Sequence, residues 1–332
     1  ANTAPSATIH ISTTTTLRVA AFKTGYQPAN IDTQTYLFPA HVANQPVLPP
    51  GLPSSFPGGF PADYQVDPDV SSTTLPGYGL VDALSAIPVV SIATARDGLF
   101  SAGTGIYANP QATGVGWERA ASIEIIYPNG GPTYQVDAGL RIHGGISRQK
   151  TFTPKHGLRL FFRDEYGDGK WQVPLFDDYD VEEFDQLVLK GLSTDTWPVT
   201  EWGPNAEGFV RWTRQEASYH RDQWIRDTQI ALGNNAANGR FVHVFLDGLY
   251  WGMYNLMERP TDGFQASHYG GDEDEYDVIH DFAEVQAGDL TAWNAMMSLA
   301  STGFATDAAL QRIQGNNPDG TRNPAYENYL DV

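Results

Sequence analysis

The stretch FVHVFLDGLYWGMYNLM (241–257) constrains the fold of this chain more than any other. Two apolar runs flank Asp247-Gly248, and a two-residue hairpin turn of type I′ needs φ > 0 at both central positions, which Asp and Gly tolerate. The pattern predicts antiparallel strands over 241–246 and 249–257. Further strands are predicted over 87–92, 121–127, 138–143, 157–163 and 184–190 from alternating or continuous β-prone runs. Near the start, Leu17, Val19 and Ala21 alternate with Arg18 and Ala20. The β-branched run 13–16 favours a pleated strand, and Tyr36-Leu37-Phe38 closes the segment.

Helical spacing appears later. Residues 215–232 place Ala217, Trp224, Thr228, Ala231 and Leu232 near one face, with Gly233 as a C-cap. A second helix is expected from Asp289, with Leu290, Trp293, Met297 and Ala300 in phase, and a third over 307–314 before Gly315. Asn323-Pro324 reads as a further helix start. Residues 45–80 carry Pro46, Pro49, Pro50, Pro53, Pro57, Pro61, Pro68 and Pro76 among glycines. Such a segment is a linker or an extended wrap, with Phe56, Phe60 and Tyr64 available for burial. Together these elements predict an α+β fold.

Charge narrows the partners. With 39 acidic against 20 basic residues the formal charge is −19, so nucleic acid and anionic membranes are poor partners. No apolar run reaches the roughly 18 residues of a membrane span. Cysteine is absent, which removes disulfides, thiolate metal sites and cysteine nucleophiles. Ala1 is followed by no basic and apolar leader. The expectation is a removed signal peptide or a piece of a longer protein, and the last residues, soon after Asn323-Pro324, raise the same expectation at the other end.

The segment GLRIHGGISRQKTFTPKHGLRLFFRDEYG (139–167) carries the most chemistry. A strand ends at His143, Gly144-Gly145 turn, Ser147 and Arg148 follow, and Lys155 precedes the next strand. Glycines let backbone N–H groups approach phosphate oxygens while Lys and Arg neutralise them. On pattern alone this is equally an ordinary hairpin with a glycine turn and a strand-end lysine. His220-Arg221-Asp222 spells the HRD triplet of kinases, but Asp227 stands where that motif needs Asn, and the triplet lies in a predicted helix. A structural role follows for it. Residues Asp272, Glu273, Asp274, Glu275 and Asp277 lack EF-hand spacing and read as a solvated acidic loop rather than a calcium site. GDGK at 167–170 lacks the remaining P-loop glycine. No Gly-x-Ser-x-Gly or His-Glu-x-x-His motif occurs.

The same stretch resembles the signature of the spore coat protein H (CotH) kinase-like family through Gly139, Arg141, His143, Gly144, Ser147, Arg148, Lys155 and Phe161. The family's further motifs follow in order: YGDGKWQVPLF, FDQLVLKGLSTDTW with Lys190 in place of Arg, YHRDQWIRDTQIALG, and the hairpin FVHVFLDGLYWGMYNLMERPTDGF. The resemblance covers about 85–332. Residues 1–42 resemble the last strands of a fibronectin-III-like β-sandwich, and 43–84 form the Pro/Gly-rich linker or wrap.

Membership implies an atypical protein-kinase-like N-lobe with part of a C-lobe. It also implies ATP with magnesium, a protein Ser or Thr as acceptor, and a bacterial extracellular or cell-surface setting. By that likeness Gly144, Gly145, Ser147, Arg148 and Lys155 cradle phosphates, while Glu258 and Arg259 lie beside the adenine. The family's carboxylate segments, of the types Asn-x-Asp…His-Asn-Tyr-Tyr and Trp-Asp-x-Asp-x-x-Phe-Gly, do not occur. No catalytic or magnesium-binding residue is therefore expected in this chain, which would supply positioning groups and little chemistry. The alternative is a non-catalytic extracellular binding, adhesion or scaffold module, which the aromatic content and acidic surface also fit.

Overall fold

The computed structural model describes residues 6–26, 31–73, 75–177, 179–197 and 217–330. It is an α+β chain in two units, residues 1–259 and 260–332. In the first unit β1 (Thr15–Val19) and β2 (Asp32–Tyr36) form a hairpin. Seven strands then close a barrel: β3 (Val89–Thr94), β4 (Arg119–Ile126), β5 (Thr133–His143), β6 (Gly157–Phe161), β7 (Gln186–Lys190), β8 (Gly239–Leu246) and β9 (Leu249–Glu258). The order around the wall is β7-β9-β8-β3-β4-β5-β6, returning to β7. All neighbours are antiparallel except β8 with β3. The strands fall close to the predicted ranges, but closure and the parallel pair are new, because neither follows from periodicity along a single strand.

The barrel interior is apolar. Leu140, Leu158, Leu160, Leu187, Leu189, Val242, Val244, Tyr254 and Leu256 are essentially inaccessible, as period-2 alternation requires. The turn at Asp247-Gly248 has φ of 50° and 81°, the left-handed pair that the sequence implied. Asp247 also accepts a hydrogen bond from Thr94 N at 2.9 Å. One helix of this unit is long, α1 (Arg221–Ala231), with Gly233 (φ 81°) ending it as expected. Of its predicted extent, 217–220 are non-helical, and 215–216 lie outside the described residues. Its predicted apolar face is not its packing face. Trp224 is 64% and Leu232 69% exposed, whereas Asp222, Gln223 and Arg226 make the bonds to the barrel.

The proline-rich segment wraps the barrel. Val42, Leu84, Val89 and Phe245 form a second small core, and Tyr64 is buried. Short helical turns at Pro39–Val42, Pro68–Ser71, Leu80–Leu84 and Arg96–Phe100, which periodicity did not reveal, punctuate this part of the chain. Gln45 is the fastener. Its Oε1 accepts from Tyr250 N at 2.9 Å and its Nε2 donates to Tyr250 O at 3.1 Å and to Tyr64 O. A side-chain amide thus pairs with a strand as a neighbouring strand would, in a segment whose short ladder, Ser55–Phe56 with Phe60–Pro61, pairs only with itself. The β1–β2 hairpin is held similarly: Thr35 N donates to the buried Glu124 at 3.0 Å, and the Thr35 and Ser91 hydroxyls lie 2.7 Å apart.

The second unit contains α2 (Asp262–Tyr269), the hairpin β10 (Val278–His280) and β11 (Glu284–Ala287), α3 (Thr291–Ser301) and α4 (Asp307–Ile313). Thr261 caps α2 and Thr306 caps α4. α2 had escaped the sequence reading, since only eight residues carry it. The acidic run forms a capping turn, with Asp272 N donating to Glu275 and Asp289 N to Asp277. The helix expected at Asn323-Pro324 is a turn instead: Arg322 binds the carbonyls of Asn323 and Tyr326 at 2.7 Å, and Tyr329 N donates to Ile313 O. Those bonds hold the carbonyls that a helix would have used.

Replacing Gln45 with Ala should lower stability by about 1–3 kcal/mol, because it strands a buried N–H and a carbonyl. Urea midpoints check this; an unchanged midpoint would mean that the wrap is fastened elsewhere.

Candidate functional site

Strand alternation decides which side chains face outward from β5, β6 and β7. With the leucines inside, Arg141, His143, Arg159, Phe161, Val188 and Lys190 point out of the barrel. In register Arg141 faces Arg159, and Arg159 faces Val188 on the other side. Two guanidinium groups opposite each other repel. Phe161 relieves part of this: the Arg141, Arg159 and Arg163 carbons lie 4.2, 4.7 and 5.0 Å from its ring centroid, within cation–π range. Glu118 relieves more. Its buried carboxylate pairs with Arg141 and, at 3.5 Å, with Arg163. Gly139 makes room for that carboxylate, since a Cβ there would sit 2.3 Å from Glu118 Oε1.

Arg159 receives no such ion pair among the described residues. Burial first, then Arg259, Arg141 and Arg163, push its guanidinium down to about 10 against the pull of Asp185. The Nε atoms of Arg148 and Arg159 are buried without a hydrogen-bond partner among the described residues. His143 lies in the same field, pushed down to about 3 by burial and by Arg259, Arg159, Lys190 and Arg148. In a chain of charge −19, this wall is a concentrated positive field, the kind of setting in which an oxyanion binds.

Lys190 ends β7 and is 2.7 Å from Asp222 in the first turn of α1. Asp222 also takes Arg226 Nε at 3.1 Å. The two cations hold its carboxyl below the ordinary range even though burial opposes them. Arg226 extends the seam to Ala237 O at 2.8 Å and to Asn255, while Asn255 Nδ2 donates to Gln223 at 2.8 Å. The helix starts where it does because Asp195 accepts from Ser218 N at 2.7 Å and Arg221 N at 3.3 Å. The HRD triplet is thus spread over a helix start whose acid is already paired.

The expected cradle residues separate into three places. Gly144 (φ 126°) turns the chain after β5, and Ser147 fills the space where a side chain at 144 would lie. Gly145 precedes the short turn Ile146–Arg148, and Ser147 O bonds His156 Nδ1 at 3.0 Å. Arg148 joins the field around His143, as does Arg259. Lys155 goes elsewhere. Its ammonium donates to Met253 O at 2.5 Å and lies 4.7 Å from the Tyr254 ring, and burial pushes it down to about 8. Glu258 is buried within the barrel end, where its carboxylate accepts from Tyr179 at 3.0 Å and from Asn238 N at 2.8 Å; its own N–H donates to Asn238 O. Sequence reasoning missed Arg159, His143 as a titratable centre, and the Lys190–Asp222 pair. The signal was present: a strand ending in Leu-Val-Leu-Lys followed by an Arg-Asp helix start.

His143, His156 and His243 are all held below their ordinary value by burial. Unfolded histidines take protons below about 6.5, whereas His143 in the fold waits until about 3. Its contribution is therefore complete above pH 6.5 and is lost as pH falls towards 3. His143→Gln should flatten the loss of stability between pH 6.5 and 4, read as urea midpoints; parallel curves would contradict the placement of His143.

No curated protein matches the chain. A family model described as CotH kinase protein matches residues 140–331, a span that holds the cationic wall, the Lys190–Asp222 pair and both strands of the 241–257 hairpin. More than half of the 332 residues are covered, and the chain belongs to the CotH kinase protein family.

Proposed function

We propose that the chain is the nucleotide-holding part of a CotH-type kinase, transferring the ATP γ-phosphoryl group to Ser or Thr of a protein outside the bacterial cell or at its surface. The single observation that supports this is the Lys190–Asp222 ion pair at 2.7 Å and its place in the chain. A strand ends in lysine, a helix supplying the carboxylate follows, two strands return, and the chain then leaves for a second unit. Protein kinases order their N-lobe in the same way, with a strand lysine on the phosphates held by a helix acid. In this reading β3–β9 with α1 serve as the N-lobe and residues 260–332 begin the C-lobe. The acidic surface suits export.

The residues fit a nucleotide's phosphates. Lys190 supplies a point charge fixed by Asp222, Arg148 and Arg159 supply forked donors, and the Gly144-Gly145 turn carries Arg148 to them. Arg259 leaves β9 where a kinase chain passes the adenine, whereas the N–H and carboxylate of Glu258 are already engaged. The phosphate role assigned to Lys155 by family likeness passes to Lys190. What these groups contribute to transfer is positioning and compensation of phosphate charge. Magnesium fits less well: among the described residues no three His, Asp or Glu side chains cluster to hold a metal ion.

Calorimetric titration with ATP tests the assignment. Wild type should bind, and Lys190→Met or Arg159→Gln should weaken binding at least about tenfold, a loss of about 1.4 kcal/mol. Lys155→Met should stay within about twofold of wild type. Absence of binding in wild type, or a loss confined to Lys155→Met, would overturn the reading.

A further inference from the structure

A cavity that shares no lining residue with the arginine wall lies in the first unit, and the wrap builds half of it. A cleft of about 490 Å³ is lined by Phe56, Tyr64, Trp197, Tyr250, Trp251 and Lys155. That is the size range of small-molecule sites, which are mostly apolar with a few placed polar groups. Its floor owes its shape to a β-bulge. Between β8 and β9 the register shifts at Val244/Phe245, so that Trp251 has no partner of its own and Gly252 takes φ 119°. A bulge re-aims a side chain, and Trp251 turns onto Tyr64 and Phe56 at 5.9 and 6.2 Å between centroids, with Nε1 held by Tyr107 OH at 2.8 Å. Trp197, 62% exposed, stands on Tyr219 at 5.6 Å and offers a free ring face at the rim.

Among the described residues, Lys155 is the only cation lining this cleft. No carboxylate among the described residues pairs with it; one N–H reaches Met253 O and the aromatic faces of Tyr254 and Tyr219 lie at 4.7 and 6.0 Å. The two acids at the rim are occupied by their own turns, Asp63 accepting from Gln65 N and Asp67 from Asp69 N. A half-buried cation with one carbonyl partner and no ion pair among the described residues is incompletely compensated. The half-buried Lys155 ammonium favours an anionic group at that point of the cleft, where the charges of Asp63 and Asp67, both exposed to solvent, are screened, and the aromatic walls select a flat apolar body attached to it.

We infer that this cleft is a ligand site separate from the nucleotide wall, taking a small aromatic carboxylate whose ring lies among Trp251, Tyr64 and Trp197 and whose carboxylate meets the Lys155 ammonium. The site depends on residues 56–67, so it belongs to the whole chain and not to the family-matched part alone.

Three probes that share one indole ring decide it on the full chain by calorimetry: indole-3-acetate, its isosteric neutral amide, and the cationic tryptamine. Wild type should bind the carboxylate at least about tenfold more tightly than the amide, with the amine weakest. Lys155→Met should bring carboxylate and amide to equal affinity, Lys155→Arg should keep the preference, and Trp197→Ala should weaken all three. A non-hydrolysable ATP analogue should not displace the carboxylate. Equal binding of carboxylate and amide by wild type overturns the inference, as does no binding at millimolar concentration or competitive displacement by the nucleotide. The wild-type series decides even where a variant fails to fold, and ATP binding without carboxylate binding sinks this inference while leaving the kinase reading intact.

Discussion

Gathering Arg141, Arg148, Arg159, Arg163, Lys190 and Arg259 around one wall of a barrel is unfavourable until counter-charge meets them. The fold supplies it unevenly. Glu118 neutralises Arg141 and Arg163 from beneath, and Asp222 neutralises Lys190 and Arg226 from α1. Phe161 shields what lies between. Arg148 and Arg159 are left with buried Nε atoms that no described residue satisfies. Much else follows from this constraint. Gly139 must be glycine to admit Glu118, α1 must dock through polar residues, and His143 must stay neutral. The cationic surplus is a cost that the rest of the fold meets.

The opposite requirement shapes the barrel mouth. There the proline-rich wrap adds no strand to the barrel, and it is fastened by side chains: the Gln45 amide on Tyr250, Arg96 on Pro50 O, His243 on Ala83 O, and aromatic contacts to Trp251. Proline's restricted backbone lowers the entropy lost on ordering such a segment. The bulge at Gly252 then serves both walls: it frees Trp251 from the ladder and leaves Lys155 room to lie against β9.

Much of this was legible from the sequence, for identifiable reasons. The hairpin at Asp247-Gly248 is local, needs two positive φ values and is visible in two residues. The strands flanking it alternate cleanly because one face is buried. The cationic wall was only half visible, since Arg148 was marked by its glycine turn but Arg159 and His143 acquire meaning from strand register, a property of pairs. Lys155 and Lys190 were interchangeable as letters; hydrogen bonding to Met253 O and to Asp222 separates them. The apolar stripe of α1 misled because helix-to-sheet packing here runs through Asp222, Gln223 and Arg226. Barrel closure, the parallel β8–β3 contact and the eight-residue α2 depend on long-range pairing or short caps that periodicity does not register.

The central claim is that the wall around His143 is an anion site waiting for phosphate. The imidazole pKa, followed by NMR through its ring protons with and without a non-hydrolysable ATP analogue, tests it directly. An anion among Arg148, Arg159 and Lys190 offsets the charges that hold His143 at about 3, so its pKa should rise by about one unit or more when nucleotide binds. An imidazole pKa unmoved by saturating nucleotide would contradict the account.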